Sequence, residues 1–490
     1  MKRVTEASPL LPKSVEKVNA DGCSLPTKCS NFFGIFSQIT VEPVMFVATM
    51  CVGIENVFLV NLWVDKECQR LSYSQDVCQH LDSGEHQVEQ DAVQERADKM
   101  NSVYGLWIQN LPTVFVVLIL GAWSDTRGKR MPIFLPILGF FLKAIGVLVN
   151  CLWWDLPPEY ILLAYTPYGF CGGLMGVALG ASVYVSAITS RRSRSSRITI
   201  LNVIAVMGVP TGNAFGTFVY ERYGYNYVFG GEIVLCLICM IYILTRLETW
   251  PGTRSLHTHP ERVDRGSVWE VLKPARLAET ATVVFKKREN GARTQIVGHV
   301  VIIWFLLFDS GVFQFEFLYT RKKFGWDYFT YTLFSITKSL MRAMGSFVIM
   351  PTMSYRFRVE DSLLGFTGAA SYMFQYIITA TAPVGWVLFV AGVASCCCDM
   401  SFGSSRGALS KLVTEEELGA IFSIVAVGEA VLPLASGPLF TAVYNATLDV
   451  FPGAIFALTS CFFAIICCLY TWLMTRPERP LPNNVKFFVR

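Results

Sequence analysis

The chain has 490 residues, of which 53% are hydrophobic and only 16% are charged, and its mean hydropathy is +0.44. This composition excludes a soluble globular protein of this size and predicts a polytopic membrane protein surrounded by a lipid bilayer. The formal net charge of +4 is small. Because the sequence has no basic or aromatic patch typical of nucleic-acid binding, no nucleic-acid partner is expected.

Twelve apolar stretches are long enough to cross a membrane, since a spanning helix needs about 20 residues. They cover residues 42–64, 102–122, 131–153, 160–188, 198–220, 227–247, 296–319, 328–350, 362–383, 384–405, 418–442 and 452–474. A polar segment between the sixth and the seventh divides them into two pseudo-symmetric sets. The sequence therefore predicts an all-α membrane protein with twelve transmembrane helices in two six-helix bundles.

The charges of the connecting segments predict the orientation. Residues 65–100 carry nine acidic and four basic residues, whereas residues 245–294 carry ten basic and six acidic residues. Basic loops stay in the cytosol, and the polar start of the chain does not resemble a cleavable signal peptide, so both termini are expected to be cytosolic. The predicted domains are a cytosolic tail 1–41, a bundle 42–247 with an external loop 65–101, a cytosolic linker 248–294, a bundle 295–475 and a cytosolic tail 476–490.

The turn between the second and third spans reads Gly121-Ala-Trp-Ser-Asp125-Thr-Arg127-Gly128-Lys129-Arg130. Gly121 allows close helix approach, Gly128 permits a backbone turn, and Asp125 is placed to face a neighbouring helix end or a basic side chain. Lys129 and Arg130 hold the turn in the cytosol. The stretch resembles the loop motif of the major facilitator superfamily, Gly-x-x-x-Asp-(Arg)-x-Gly-Arg-Arg, which implies a conformational gate. The alternative is an ordinary basic loop.

Ionisable side chains inside membrane spans are costly and usually face a cavity or a partner, so each is a candidate for the substrate or proton pathway. The candidates are Glu55, Asp309, Lys338, Arg342, Asp399, Arg406 and Glu429. The alternative is an internal salt bridge between two helices, such as Asp309 with Lys338 or Arg342. Lys143 is expected to snorkel to the interface. Residues nearer the span ends are expected to serve interfaces or gates, namely Glu42, Glu232, His299 and Glu316.

Most of the fifteen cysteines lie in apolar runs, where they act as small apolar residues. Cys68 and Cys78 instead lie in the predicted external loop, and we expect them to form a disulfide because that side of the membrane is oxidising. The alternative is two free thiols. No set of cysteine and histidine residues has the spacing of a metal site, so no metal is expected.

Two short motifs concern processing of the chain. Glu6-Ala-Ser-Pro-Leu10-Leu11 matches an acidic dileucine sorting signal, which predicts clathrin adaptors as partners and delivery to endosomes or lysosomes; the alternative is a chance match. Asn445 begins the one N-glycosylation sequon and falls in the predicted external loop before the twelfth span.

The stretch Arg406-Gly-Ala-Leu-Ser410-Lys411-Leu-Val413, followed by Glu417-Leu-Gly419-Ala420-Ile-Phe422-Ser423, is more distinctive. It resembles the proton-coupled folate transporter family, solute carrier family forty-six, over about residues 40–475, and this resemblance places the chain among the invertebrate-type members. The resemblance implies helices one, four, seven and ten around a central cavity, and a role for Arg406 in substrate and proton handling. A glutamate linked to proton coupling in that family is replaced by Asn202, and a helix-seven histidine falls near Asp309.

These patterns favour a secondary active transporter that imports a small organic anion or amphipathic conjugate, similar to a folate, a steroid conjugate or a muropeptide. We expect a proton gradient as the energy source, no cofactor, and a location in the plasma membrane or the endolysosomal membrane. No catalytic constellation indicates an enzyme. The alternatives are a facilitative or antiport carrier, or a receptor or scaffold that does not transport.

Overall fold

A computed structural model describes residues 39–71, 73, 77–78, 89, 92–93, 96–97, 99–189, 194–249, 286, 288, 291–326, 328–357, 359–414, 416–447 and 450–475. The regular secondary structure of these residues is entirely helical. The helices form one compact unit that begins at Val41.

Each of the twelve predicted spans corresponds to a helical segment. The helices are α1 (Glu42–Arg70), α2 (Leu106–Thr126), α3 (Met131–Leu152), α4 (Tyr160–Ile188), α5 (Arg194–Tyr223), α6 (Tyr225–Arg246), α7 (Ala292–Gly311), α8 (Leu333–Ser354), α9 (Asp361–Thr381), α10 (Val387–Leu412), α11 (Leu418–Thr447) and α12 (Ala454–Met474). Eleven of the described helices are long and apolar enough to cross a membrane.

Helix α9 is the exception. Its 21 residues give a length of about 31 Å, sufficient for a bilayer core. It carries several polar side chains, among them Gln375 and Thr379, which lower its hydropathy. Both side chains are buried, because α9 packs against α10 and α12 inside the protein.

Two boundaries differ from the prediction. Helix α1 continues to Arg70, so the external loop starts later than residue 65. The polar end of α1 is helical because the Lys66 amine donates to the carbonyl of Leu156 at 3.2 Å and lies over the ring of Trp154. Helix α7 is followed directly by a second helical segment, Phe313–Phe324.

Five of the described helices contain or end in an irregular turn, among them α8 with its π-helical turn Gly345–Ile349. A π-helical turn, Glu55–Leu59, interrupts α1, and a non-helical turn at residues 171–172 interrupts α4. A 3₁₀ turn, Asp309–Gly311, ends α7, and another, Ser395–Cys397, interrupts α10. Four of these five, α1, α4, α7 and α10, are the helices that the resemblance places around a cavity. Irregular backbone at membrane depth is tolerated where it is buried or lines a cavity.

The two halves of the molecule, α1 to α6 and α7 to α12, meet mainly through the pairs α2–α11, α5–α10, α4–α11 and α5–α8. We call the end that carries the turn 127–130 and the starts of α5 and α11 the basic end, and the opposite end the disulfide end. The largest apolar cluster includes residues of both halves, with Ile133 and Leu201 in one and Leu412 and Phe422 in the other. A separate cluster of the first half lies toward the disulfide end. The described contacts therefore close the halves against each other at the basic end.

Candidate functional site: a gate and a set of buried charge pairs

The gate begins with Asp125, at the end of α2. Its carboxylate accepts hydrogen bonds from the backbone N–H groups of Gly419 at 2.6 Å and Ala420 at 2.8 Å. These are groups of the first turn of α11, which have no partner within their own helix. Asp125 therefore acts as an N-cap supplied by the opposite half, and its negative charge faces the positive end of the helix dipole. This is the neighbouring helix end that the sequence predicted.

Glycine makes this contact possible. A Cβ at Gly121 would lie 2.5 Å from the carbonyl oxygen of Gly419, and a Cβ at Gly419 would lie 2.1 Å from the carbonyl oxygen of Gly121. No side chain fits at either position while α2 and α11 cross so closely. Gly128 has a φ of 115°, a left-handed conformation that favours glycine in the turn.

The basic residues of the motif hold the end of α6. The backbone N–H of Lys129 donates to the carbonyl of Thr249 at 2.9 Å, and the Arg130 guanidinium donates to the carbonyl of Leu244. A guanidinium near the last carbonyls of a helix interacts favourably with its dipole. The motif thus joins α2 and α3 to α6 while Asp125 reaches across to α11.

A second crossing contact mirrors the first. Asp361, at the start of α9, accepts a hydrogen bond from the hydroxyl of Ser195 at 2.7 Å and pairs with Lys411. Ser195 lies in the first turn of α5, as Gly419 and Ala420 lie in the first turn of α11. The adjacent Arg194 donates to the carbonyl of Ser410 at 2.7 Å. Each half therefore presents an acidic side chain to the start of a helix in the other half.

In the second half, the predicted mid-membrane bases pair with acids of that half. Arg342 donates to Asp399 and, at 3.0 Å, to the hydroxyl of Tyr372. The Lys338 amine lies 2.6 Å from both carboxylate oxygens of Glu316. The predicted alternative of an Asp309 pair with either base is therefore wrong, as is the placement of Glu316 at an interface. Glu316 follows the 3₁₀ turn at the end of α7, and its side chain faces Lys338 of α8.

Asp309 has a different kind of partner. The hydroxyl of Tyr376 donates to its Oδ1 at 2.6 Å. The rings of Tyr376 and Tyr372 stack with centroids 6.2 Å apart and planes at 11°. The order of groups is thus Asp309, Tyr376, Tyr372, Arg342 and Asp399, and it links the irregular turns of α7 and α10 through α9.

Arg406 lies between the halves. It is 3% exposed, donates to Glu429 of α11, and reaches Ser182 Oγ of α4 at 3.0 Å. Asp399, seven residues before Arg406 in α10, does not pair with it, because Asp399 is bound to Arg342. Among the described residues, Arg406 Nε and Glu429 Oε2 have no hydrogen-bond partner.

In the first half, Glu55 Oε2 lies 2.8 Å from the Lys143 amine. The same amine faces the rings of Tyr165 and Tyr168, with centroids at 4.4 and 4.6 Å. Lys143 is only 3% exposed, so the expectation that it snorkels to the interface is wrong. Pairing with a carboxylate and two ring faces offsets the cost of burying the ammonium.

The remaining predicted residues lie away from these charges. Cys68 and Cys78 form the predicted disulfide, with Cα atoms 5.9 Å apart. Asn445 lies in the last turn of α11 and not in a loop, because that helix extends to Thr447. The dileucine motif lies outside the described residues. No group of three or more potential metal ligands occurs in the part of the chain that the structure describes.

Sequence patterns left several site residues unassigned. Tyr372 and Tyr376 are four residues apart in α9, and Ser182 and Asp361 complete contacts between distant helices. The available signal was the polar face of α9, a helix that is long enough to span but poorly apolar. Hydroxyl groups four residues apart in such a helix mark a face that turns toward polar partners.

Two packed six-helix halves, closed at one end and with ionisable side chains at the irregular turns of α1, α7 and α10, define a membrane transporter. The chain belongs to the Major Facilitator Superfamily, whose family model matches residues 100–393. The protein is a multi-pass integral membrane transporter and not an enzyme, as the sequence predicted.

Relatives at low sequence identity indicate which family within the superfamily this chain is similar to. The probable peptidoglycan muropeptide transporter SLC46 of Drosophila melanogaster is 22% identical over 441 residues, covering 87% of this chain and 83% of that protein. The lysosomal proton-coupled steroid conjugate and bile acid symporter SLC46A3 of Gallus gallus is 23% identical over 454 residues, covering 89% and 94%. These relatives confirm the resemblance to solute carrier family forty-six. The crystal structure of the human organic anion transporter MFSD10 (TETRAN) superposes with a TM-score of 0.65 at 13% identity, covering 88% of this chain and 98% of that one, and shows the fold.

Proposed function

We propose that the protein is a proton-coupled symporter that imports a small organic anion or amphipathic conjugate. One observation carries the proposal. In the mid-membrane part of the second half, Glu316, Asp399 and Glu429 are each neutralised by a base, whereas Asp309 is bound by a neutral tyrosine. A half-buried carboxylate inside a membrane span without a basic partner is the group that gains most from a proton.

The Arg342 and Asp399 pair supplies the anion site of this proposal. A guanidinium binds carboxylate or phosphate groups in the same two-pronged geometry, so an incoming anion competes with Asp399 for Arg342. The free-energy cost of placing this added negative charge inside the protein falls when a nearby carboxylate takes up a proton. Asp309 is connected to Arg342 through Tyr376 and Tyr372, so its protonation offsets the charge of the bound anion. Anion and proton then move together.

Arg406 couples this site to the gate. Its guanidinium joins α10 to α11 through Glu429 and to α4 of the other half through Ser182. Opening the basic end separates α4 from α10 and therefore breaks the Ser182 contact. The unpaired Nε of Arg406 offers a further donor to an anion that reaches this depth.

We infer that the basic end faces the cytosol and that both termini lie there. The excess of basic residues in the segments at this end supports this orientation. The contacts of Asp125 and Asp361 then describe a carrier closed toward the cytosol. Import requires both contacts to break and equivalent contacts to form at the disulfide end.

The location follows from the amino-terminal motif in this proposal. Glu6, Leu10 and Leu11 recruit clathrin adaptors and direct the carrier to endolysosomal membranes, where an acidic lumen supplies protons. Replacing Leu10 and Leu11 with alanine is expected to move the protein to the plasma membrane, as surface labelling would measure.

The deciding experiment is uptake of labelled folate, a steroid sulfate and a muramyl dipeptide by cells expressing the Leu10→Ala, Leu11→Ala form, at acidic and at neutral external pH. We expect one compound to enter faster at acidic pH. Uptake that does not depend on pH would favour a facilitative or antiport carrier. Absence of uptake for every compound at both pH values would contradict the proposed substrate class and favour a receptor or scaffold.

A further inference from the structure

Glu232 of α6 is a fully buried acid of the first half. Its exposed fraction is 0%, and neither carboxylate oxygen has a hydrogen-bond partner among the described residues. It lies seven residues into α6, or about 10 Å along the helix axis from the end near the disulfide. An ionised carboxylate at such a depth without a base bonded to it costs several kcal/mol, far more than a neutral acid does.

The surroundings of Glu232 contain one base and one further acid. Glu55 and Cys51 face it from α1, Lys143 faces it from α3, and Cys236 lies one turn along its own helix. Helix α5 also packs on α6, but its residues 198–219 include no acidic, basic or thiol side chain. The Sγ atoms of Cys51 and Cys236 lie 3.8 Å apart, and these thiols bring no charge.

The net charge of this cluster indicates that it holds one proton. Lys143 is 2.8 Å from Glu55 and is held between two tyrosine rings, so its positive charge is already matched. Two carboxylates and one ammonium leave one negative charge, which has no counter-ion near Glu232. One proton makes the cluster neutral. A neutral cluster is the form that a membrane interior accepts at least cost.

We propose that Glu232, next to the Glu55 and Lys143 pair, is a second proton-binding site, located in the first half of the carrier. It lies in a different half from Asp309. The site binds its proton whether or not an anion is present, and its part in transport rests on the proposed function. Glu55, which is 9% exposed and opens the π-helical turn of α1, is the member of the cluster nearest to water and the route by which the proton exchanges.

The test is the infrared spectrum of the purified protein in lipid nanodiscs at neutral pH. A protonated carboxylic acid has a carbonyl stretch separate from that of a carboxylate. We expect Glu232→Gln to remove one such carbonyl from the wild-type spectrum, and we expect that band to shift in heavy water because its proton exchanges. Glu221→Gln is the matched control, since Glu221 is exposed on α5 and should leave the band unchanged.

A second variant covers the case in which Glu232→Gln does not fold. Lys143→Gln leaves Glu55 without its base, so the spectrum should gain one protonated carbonyl. Identical acid bands in wild type, Glu232→Gln and Lys143→Gln would overturn the inference, and so would a wild-type band that heavy water does not shift.

Uptake measured beside the spectra separates the two proposals. If uptake does not depend on pH while the Glu232 band is present, proton coupling is contradicted and the proton-binding site at Glu232 is still supported. Acid-stimulated uptake with no Glu232 band supports proton coupling and contradicts the proton-binding site at Glu232.

Discussion

At the scale of single residues, the presence or absence of a basic partner decides the role of each ionisable side chain inside the membrane spans. Four mid-membrane acids are neutralised by a base, which suits them to hold helices and to exchange with a charged ligand. Asp309 and Glu232 are not, which suits them to bind protons. Two predictions concern this scale.

Replacing Arg406 with alanine is expected to abolish uptake. It leaves Glu429 buried without a counter-ion, at a cost of about 3–5 kcal/mol. The combined variant Arg406→Met, Glu429→Leu removes both charges and restores stability, so it separates folding from transport. Radiolabel uptake normalised to surface protein is the measurement, and the double variant should be well expressed and inactive. Normal uptake by the double variant would falsify the role given to Arg406.

Replacing Asp309 with asparagine keeps an oxygen for the Tyr376 hydroxyl but removes the titrating group. We expect uptake to become equal at acidic and neutral external pH, with the acid stimulation lost. Tyr376→Phe is the comparison variant, because it removes the hydrogen bond that links Asp309 to Arg342 but keeps the acid, and its uptake should still rise at acidic pH, though less than in wild type. An unchanged pH profile in Asp309→Asn would place the coupling proton on another group.

At the scale of helices and loops, the start of α11 depends on two acids. Asp125 caps its first turn, and Glu417, in the preceding loop, pairs with Lys286 and Arg288. Burial opposes ionisation of Glu417, but the hydrogen bonds from the two bases outweigh it and hold the pKa of this carboxyl below its ordinary value. The end of the linker thus fixes the loop beside the gate.

This lowered pKa gives a pH-dependent prediction. A carboxyl whose pKa is lower in the folded state stabilises that state above its ordinary pKa, and loses the effect as the pH falls through the folded value. Glu417→Gln should cost about 0.5–1 kcal/mol at neutral pH, because the pair with Lys286 is partly exposed to solvent. The difference from wild type should begin to shrink as the pH falls to the ordinary pKa of glutamate, about 4.3, and should vanish once the pH is below the lowered pKa of the folded state.

Thermal unfolding of the purified protein over a pH series measures this difference. Glu416→Gln is the control, since Glu416 is exposed in the same loop and should behave as wild type at every pH. A constant difference between wild type and Glu417→Gln at all pH values would rule out the ion pairs as its cause.

At the scale of the whole molecule, the halves are held by contacts that opening must break. Gly121→Val places a side chain against the Gly419 backbone, and overpacking of this kind costs about 1–3 kcal/mol. The population of the closed basic end relative to the open one should therefore fall by about 5-fold to 140-fold. A cysteine introduced at Ser410, which is buried in the closed gate, should react faster with a soluble thiol reagent.

Gly230→Val is the matched control for this variant, because nothing lies within 4 Å of a Cβ at Gly230. It should leave the labelling rate of the introduced cysteine unchanged. Equal rates in wild type and Gly121→Val would mean that the crossing of α2 and α11 does not hold the gate closed.

The sequence by itself determined the class of fold, the gate motif, the disulfide and the candidate charges. Apolar run length, loop charge and glycine position are local properties, so each could be found from neighbouring residues. The pairing of those charges was decided only by tertiary structure. Arg342 could have met Asp309 or Asp399, and Lys143 could have met Glu55 or water. The outcome depends on helix rotation and on the irregular turns of α1, α7 and α10. A shift of one residue at such a turn rotates the following side chains by about 100° around the helix axis. That rotation left Asp309 and Glu232 without a base.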